Sequence, residues 1–145
     1  MDNGIRGLEC MLEEDEMEMF LRFIATRYFS FSVPWCMVNG DDNREHSLTA
    51  LLSSARLQRL AENELLELVM FAYDKDALPS VIVDYDDFRK SECSVCLIYY
   101  DCGVLEAYIK SSEDFIDIWN ELELLHAQNM ITKTELNDGR SRLCL

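Results

Sequence analysis

Residues 94–125 read SVCLIYYDCGVLEAYIKSSEDFIDIWNELELL, and their periodicity changes once along the way. Ser94–Tyr100 and Val104–Ile109 are short, apolar and rich in β-branched and aromatic residues, the composition of strands. Between them Asp101-Cys102-Gly103 has hairpin length, with a glycine where positive φ is expected. Ser111 then supplies a cap, and with Asp114 it forms the S-x-x-D pattern that opens a helix. From there Phe115, Ile118, Trp119, Leu122 and Leu125 recur at helical spacing as one apolar stripe. The opposite face carries Glu113, Asp117 and Glu121, with Glu123 close to them. A hairpin that runs directly into an amphipathic helix predicts an antiparallel sheet with helices packed on it.

The rest of the chain extends this plan. Glu13–Tyr28 reads as a helix with Met17, Phe20, Leu21, Ile24 and Tyr28 on one face. Its four leading acids suit the positive end of the helix dipole, and Arg22 and Arg27 suit the other end. Phe29–Val38 reads as a strand in which Pro34 marks an edge or a bulge. Asn39–Asn43 is a loop by composition. Leu48, Leu51, Leu52 and Ala55 have helical spacing, and a short helix is expected over Ala55–Ala61. Leu66–Tyr73 and Val81–Tyr85 read as further strands. The tail from Lys133 is polar and is expected to be loose. The expected architecture is α+β: one domain over residues 1–145, a mostly antiparallel sheet of four to five strands, and an N-terminal and a C-terminal helix packed on it.

The chain has 28 Asp and Glu against 13 Lys and Arg, a formal charge of −15 on 145 residues. Apolar residues make up 49%, so these acids belong to a folded surface and not to a disordered tail. Such a surface repels nucleic acid and anionic membrane and attracts basic proteins. No basic leader precedes an apolar stretch, and Arg22, Arg27 and Pro34 interrupt the run Phe20–Val38, so neither a signal peptide nor a membrane span is expected. Six cysteines without an export signal read as reduced thiols in a cytoplasm.

Few residues suggest reaction chemistry. Cys93-Ser94-Val95-Cys96, with Cys102 beyond, has metal-ligand spacing, but it opens an apolar strand, where residues three apart point to opposite faces. Plain semi-buried cysteines are the expectation. Asp84-Tyr85-Asp86-Asp87 is dense in carboxylates yet lacks the glycine and terminal glutamate of a calcium loop. His46 and His126 have no nucleophile motif beside them. The aromatics Tyr28, Phe29, Phe31, Trp35, Tyr99 and Tyr100 lack the positive groove that a nucleic-acid platform needs. No catalytic, cofactor or metal site is therefore expected. A metal enzyme built on the cysteines or on Asp84, Asp86 and Asp87 stands as a competing class, as does an adaptor or chaperone for a basic effector.

Two segments resemble a known family. Met11-Leu12-Glu13-Glu14-Asp15-Glu16, followed by Phe20-Leu21 and Phe23-Ile24, is similar to the head of small immunity proteins of bacterial polymorphic-toxin and contact-dependent inhibition systems. Tyr108-Ile109-Lys110 and the helix with Phe115, Trp119 and Leu122 resemble their final strand and helix. Together these cover about a third of the chain, and the middle, Asn39–Glu62, is longer and more helical than that pattern. The resemblance implies a non-enzymatic cytoplasmic inhibitor of a cognate toxin domain, with no direct nucleic-acid or membrane partner. A nuclease toxin carries a basic cleft for phosphate, which an acidic partner can occupy. The acids expected to make contact are Asp84, Asp86, Asp87, Glu113, Asp117 and Glu121. The alternative is a phage-type nucleic-acid mimic directed at a host defence nuclease.

Overall fold

The computed structural model describes residues 5–38, 48–62, 65–101 and 103–134. Its elements in chain order are β1 (Arg6–Met11), α1 (Glu14–Arg27), β2 (Ser30–Val38), β3 (Leu48–Leu52), α2 (Ser54–Ala61), β4 (Leu65–Tyr73), α3 (Tyr85–Lys90), β5 (Val95–Tyr100), β6 (Val104–Ile109), α4 (Ser112–Leu124) and β7 (Gln128–Thr134). The strands form one antiparallel sheet in the order β3-β2-β4-β5-β6-β1-β7. The α+β class holds, with seven strands in place of four to five.

Helices α1, α2 and α4 cover one face of this sheet. Leu8, Phe31, Leu68, Met70, Leu97 and Ala107 point up into that layer, against Phe20, Leu57, Ile118 and Leu122 from the helices. Val69, Phe71, Cys96, Ile98 and Tyr108 point the other way, where α3 brings Phe88 down onto them. Burial on both faces is why β4 and β5 are nearly continuously apolar. Each large side chain removed from water in this way contributes roughly 1.5–3 kcal/mol.

Local chemistry sets most boundaries. Helix α1 starts at Glu13, whose side chain and that of Glu16 form a reciprocal capping box, with Glu13 N–H donating to Glu16 at 2.7 Å. In the β5–β6 hairpin Gly103 has φ +139, and a Cβ there would lie 2.9 Å from the Leu12 carbonyl oxygen, so only glycine fits. Pro34 is exposed at a register shift between Ser32 and Trp35, so it marks a bulge in an interior strand and not an edge. Ser111 accepts from Asp114 N–H at 3.2 Å and starts α4 as expected.

Four expectations are corrected. Val81–Tyr85 is not a strand. Asp84 accepts from Asp87 N–H at 2.8 Å, while Asp87 accepts from Val83 N–H at 3.0 Å and Asp84 N–H at 3.4 Å. This capping box opens α3 just past the β-branched run Val81-Ile82-Val83, and burial of Phe88 secures the helix. Leu48–Leu52 is the edge strand β3, because the helix only begins where Ser53 accepts from Arg56 N–H at 3.3 Å. Strand β1 precedes the first helix and lies between β6 and β7. Lys133 and Thr134 belong to β7 and not to a loose tail; residues 135–145 lie outside the described residues.

Candidate interaction surface

The six acids expected to make contact fall into two groups on opposite sides of the sheet. Glu113, Asp117 and Glu121 ride on α4, in the helical layer, whereas Asp84, Asp86 and Asp87 sit at the start of α3 on the other face.

On α4 the inner stripe of Ile118 and Leu122 is fully buried, and Phe115 and Trp119 pack partly beside it, their rings 5.9 Å apart. That packing turns Glu113, Ile116, Asn120, Glu123 and Leu124 outward, all exposed. The helix SEDFIDIWNELEL has five acids and no Lys or Arg. The cation against it is Arg27 of α1, 2.6 Å from Asp114 and 2.8 Å from Asp117. Burial opposes the charge of that guanidinium, but the Asp114 hydrogen bond and the two carboxylates raise its pKa overall. Glu113, Glu121 and Glu123 have no ion-pair partner among the described residues. Ile116 and Leu124 are 55% and 73% exposed among them.

On α3 the carboxylates are committed to the fold. Asp84 and Asp87 hold the capping box, and Asp86 is paired with both Arg89 and Lys90, the latter at 2.9 Å. The hydrogen bond from Lys90, then that from Arg89, holds the Asp86 carboxyl below the usual aspartate range. Beneath the helix end, Lys110 lies 4.8 Å over the Phe88 ring and donates to the Ser91 carbonyl at 2.5 Å.

The described cysteine thiols, Cys10, Cys36, Cys93 and Cys96, are buried. Cys93 precedes β5 and so escapes strand alternation; it packs with Cys96 in the same second-face cluster, contrary to the opposite faces expected. Its thiol donates toward the Ala72 and Val95 carbonyls, and burial pushes its pKa up to about 12. Cys10 and Cys36 are likewise raised, first by burial, to about 12 and about 11. Thiols this far from ionising are poor nucleophiles and ligands. Among the described residues no three His, Cys, Asp or Glu side chains are grouped to hold a metal ion. Cys102 and His46 lie outside the described side chains, and His126 is an exposed residue just past α4 at φ +64.

One polar group escaped sequence reasoning. Glu106 is 1% exposed in the middle of β6 and accepts hydrogen bonds from Tyr100 and from Tyr108, the second at 2.8 Å. Lys133 of β7 stands 3.7 Å from it and 2.7 Å from Glu9. A buried carboxylate persists only with such partners, and this set ties β7 to β1 and β6. The available signal was a lone acid inside the apolar strand VLEAYI.

No helix among the described residues is long and apolar enough to cross a membrane. No curated protein and no solved structure matches the chain. A family model described as "Protein of unknown function (DUF2691)" matches residues 37–144, most of the chain, and the protein therefore belongs to the DUF2691 family.

Proposed function

We propose that this chain is a non-enzymatic binding protein that docks the outer face of α4 on a basic surface of a partner protein. The observation that carries this reading is Glu121 and Glu123 near the C-terminus of α4, where the last turn holds no basic residue, no described residue forms an ion pair with either acid and Leu124 stands exposed. Acids at the negative end of a helix oppose its dipole, at a cost of about 0.3–1 kcal/mol each. An exposed leucine contributes nothing to the core. Local rules broken together in one place point to a task other than folding. Ile116 and Leu124 supply apolar anchors, and the carboxylates around them speed encounter with a cationic partner.

The narrower form of the proposal makes that partner a cognate toxin domain, a nuclease with a phosphate-binding cleft, met in the cytoplasm. The resemblance of the first and last helices to immunity proteins supports it. A nucleic-acid mimic is a second reading. Glu113, Asp117 and Glu121 recur every four residues, about 6 Å apart along the axis, and a regular row of anions suits a phosphate cleft.

The test is co-expression with the product of the adjacent upstream gene. Growth should be arrested by that product alone and restored by this chain, and the Glu121→Lys, Glu123→Lys double variant should fail to restore it. A harmless neighbour, or one that stays toxic in the presence of this chain, overturns the toxin form. Inhibition of several unrelated nucleases with similar strength selects the mimic instead.

A further inference from the structure

We infer that β7 is a latched strap: it opens from the sheet as a unit of its own, and Lys133 is the latch. The two edges of the sheet are held differently. At one edge Leu52 of β3 is buried against the helical layer. At the other, no side chain from Gln128 to Lys133 is buried, and Ile131 stands 49% exposed. Met130 packs on the helical layer from a half-buried position. Strand β1, next inward, buries Leu8 and Cys10 completely and pairs with β6 along its whole length. An element with few buried apolar contacts opens at a lower free energy than the core beside it.

The entry to β7 favours opening too. His126 and Asn129 have φ +64 and +57, the left-handed region that residues with a Cβ occupy at a cost. The β1–β7 register also breaks between Glu9 and Met11. Beside this break the Asn129 side-chain amide donates to the Met11 sulfur at 3.4 Å, and a thioether is a weak acceptor.

A charged contact across three strands opposes opening. Lys133 pairs with Glu9 at 2.7 Å and reaches over β1 to Glu106 of β6 at 3.7 Å. Gly7 leaves room for that reach. It is paired with Lys133 on one side and Tyr108 on the other, and a Cβ there would lie 3.1 Å from the Lys133 Cβ and 3.1 Å from the Tyr108 ring. Glu106 is buried, so salt screens its attraction to Lys133 less than it screens surface pairs. Opening the strap leaves Glu106 with its tyrosine donors but without that cation, and this penalty holds β7 shut. The opened state presents the outer edge of β1 as a row of unpaired N–H and C=O groups.

Amide hydrogen exchange, followed by NMR on the full chain, tests the inference. The β7 amides bonded to β1 are expected to share one opening constant, on the order of a hundredfold larger than that of β4 and β5. Ile24→Val, in the buried stripe of α1, weakens the whole fold and should speed β4 and β5 exchange about three- to tenfold. It should leave β7 exchange unchanged, because a strap that opens alone keeps the Ile24 contacts. Lys133→Met keeps the apolar stem without the charge and should speed β7 exchange about tenfold. Glu9→Gln should act in the same direction more weakly, and it serves where the Lys133 variant does not fold. If β7 exchanges at the β4 and β5 rate, or responds to Ile24→Val as they do, the edge opens only with the whole fold and the strap is overturned. Fast β7 exchange indifferent to the Lys133 and Glu9 variants overturns the latch.

Discussion

Asp84, Asp86 and Asp87 at the start of α3 match Glu113, Asp117 and Glu121 along α4 in number and formal charge, yet their physical roles differ. The α3 acids occupy the positive end of their helix, satisfy backbone N–H groups and answer Arg89 and Lys90 in its last turn. Folding alone accounts for every one of them. On α4, Glu113 and Asp114 suit the first turn, and Asp114 and Asp117 answer Arg27. Glu121 and Glu123 remain, at the end where the dipole disfavours them. Acidity explained by local structure says little about partners, whereas acidity that local structure opposes does.

The strongest way to break this comparison is charge reversal on each side. Glu121→Lys with Glu123→Lys should slow association with a basic partner at least tenfold at low salt, equal to about 1.4 kcal/mol in the barrier. The same change should raise the thermal stability slightly, since lysine suits a helix C-terminus. Asp86→Lys should alter the association rate less than about twofold. Stopped-flow rates across a salt series check the two rate effects and calorimetry checks the stability, and equal slowing by the α3 and α4 variants would end the distinction.

How legible the two regions were in the sequence follows the range of the interactions. Helix α4 and the β5–β6 hairpin were readable because their signals are local: Ser111, Gly103 and an unbroken apolar stripe. Helix α3 was misread because Val81-Ile82-Val83 has strand composition, and the deciding pair, Asp84 with Asp87, lies just past it. That D-x-x-D pattern obeys the same capping rule as Ser111 and Asp114. The pairing of Asp86 with Lys90 was also readable, as an i,i+4 contact. Strands β1 and β7 were not, since their pairing joins residues from opposite ends of the chain, Leu8 with Ala107 and Thr132. Whether Glu113 or Asp84 faces a partner depended on which sheet face each helix covers, and that is set by packing.

A smaller effect should appear in stability. Asp84→Ala removes the acceptor that starts α3 and should cost about 1 kcal/mol, lowering the thermal midpoint by about 2–4 °C. Glu123→Ala should cost nothing or stabilise slightly. Calorimetry of the two variants decides whether the α3 acids serve folding while the late α4 acids do not. A loss of stability from Glu123→Ala as large as that from Asp84→Ala would remove the case for a surface role on α4.

The smallest effect concerns Asp86 itself. Its carboxyl is held below the ordinary aspartate value by Lys90 first and Arg89 second, so the folded state binds that proton less readily than the unfolded chain does. The associated stabilisation is therefore complete above the usual aspartate range and disappears as the pH falls through the depressed folded value. Because both partners are exposed, added salt should bring the titration back toward normal. Carboxyl-detected NMR on the wild type and on Lys90→Gln measures this directly, with an upward shift expected in the variant. If Asp86 titrates normally in both, its pair with Lys90 does not persist in solution. Asp86 would then be as open to a cationic partner as Glu121, and the contrast between the two helices would rest on the capping carboxylates alone.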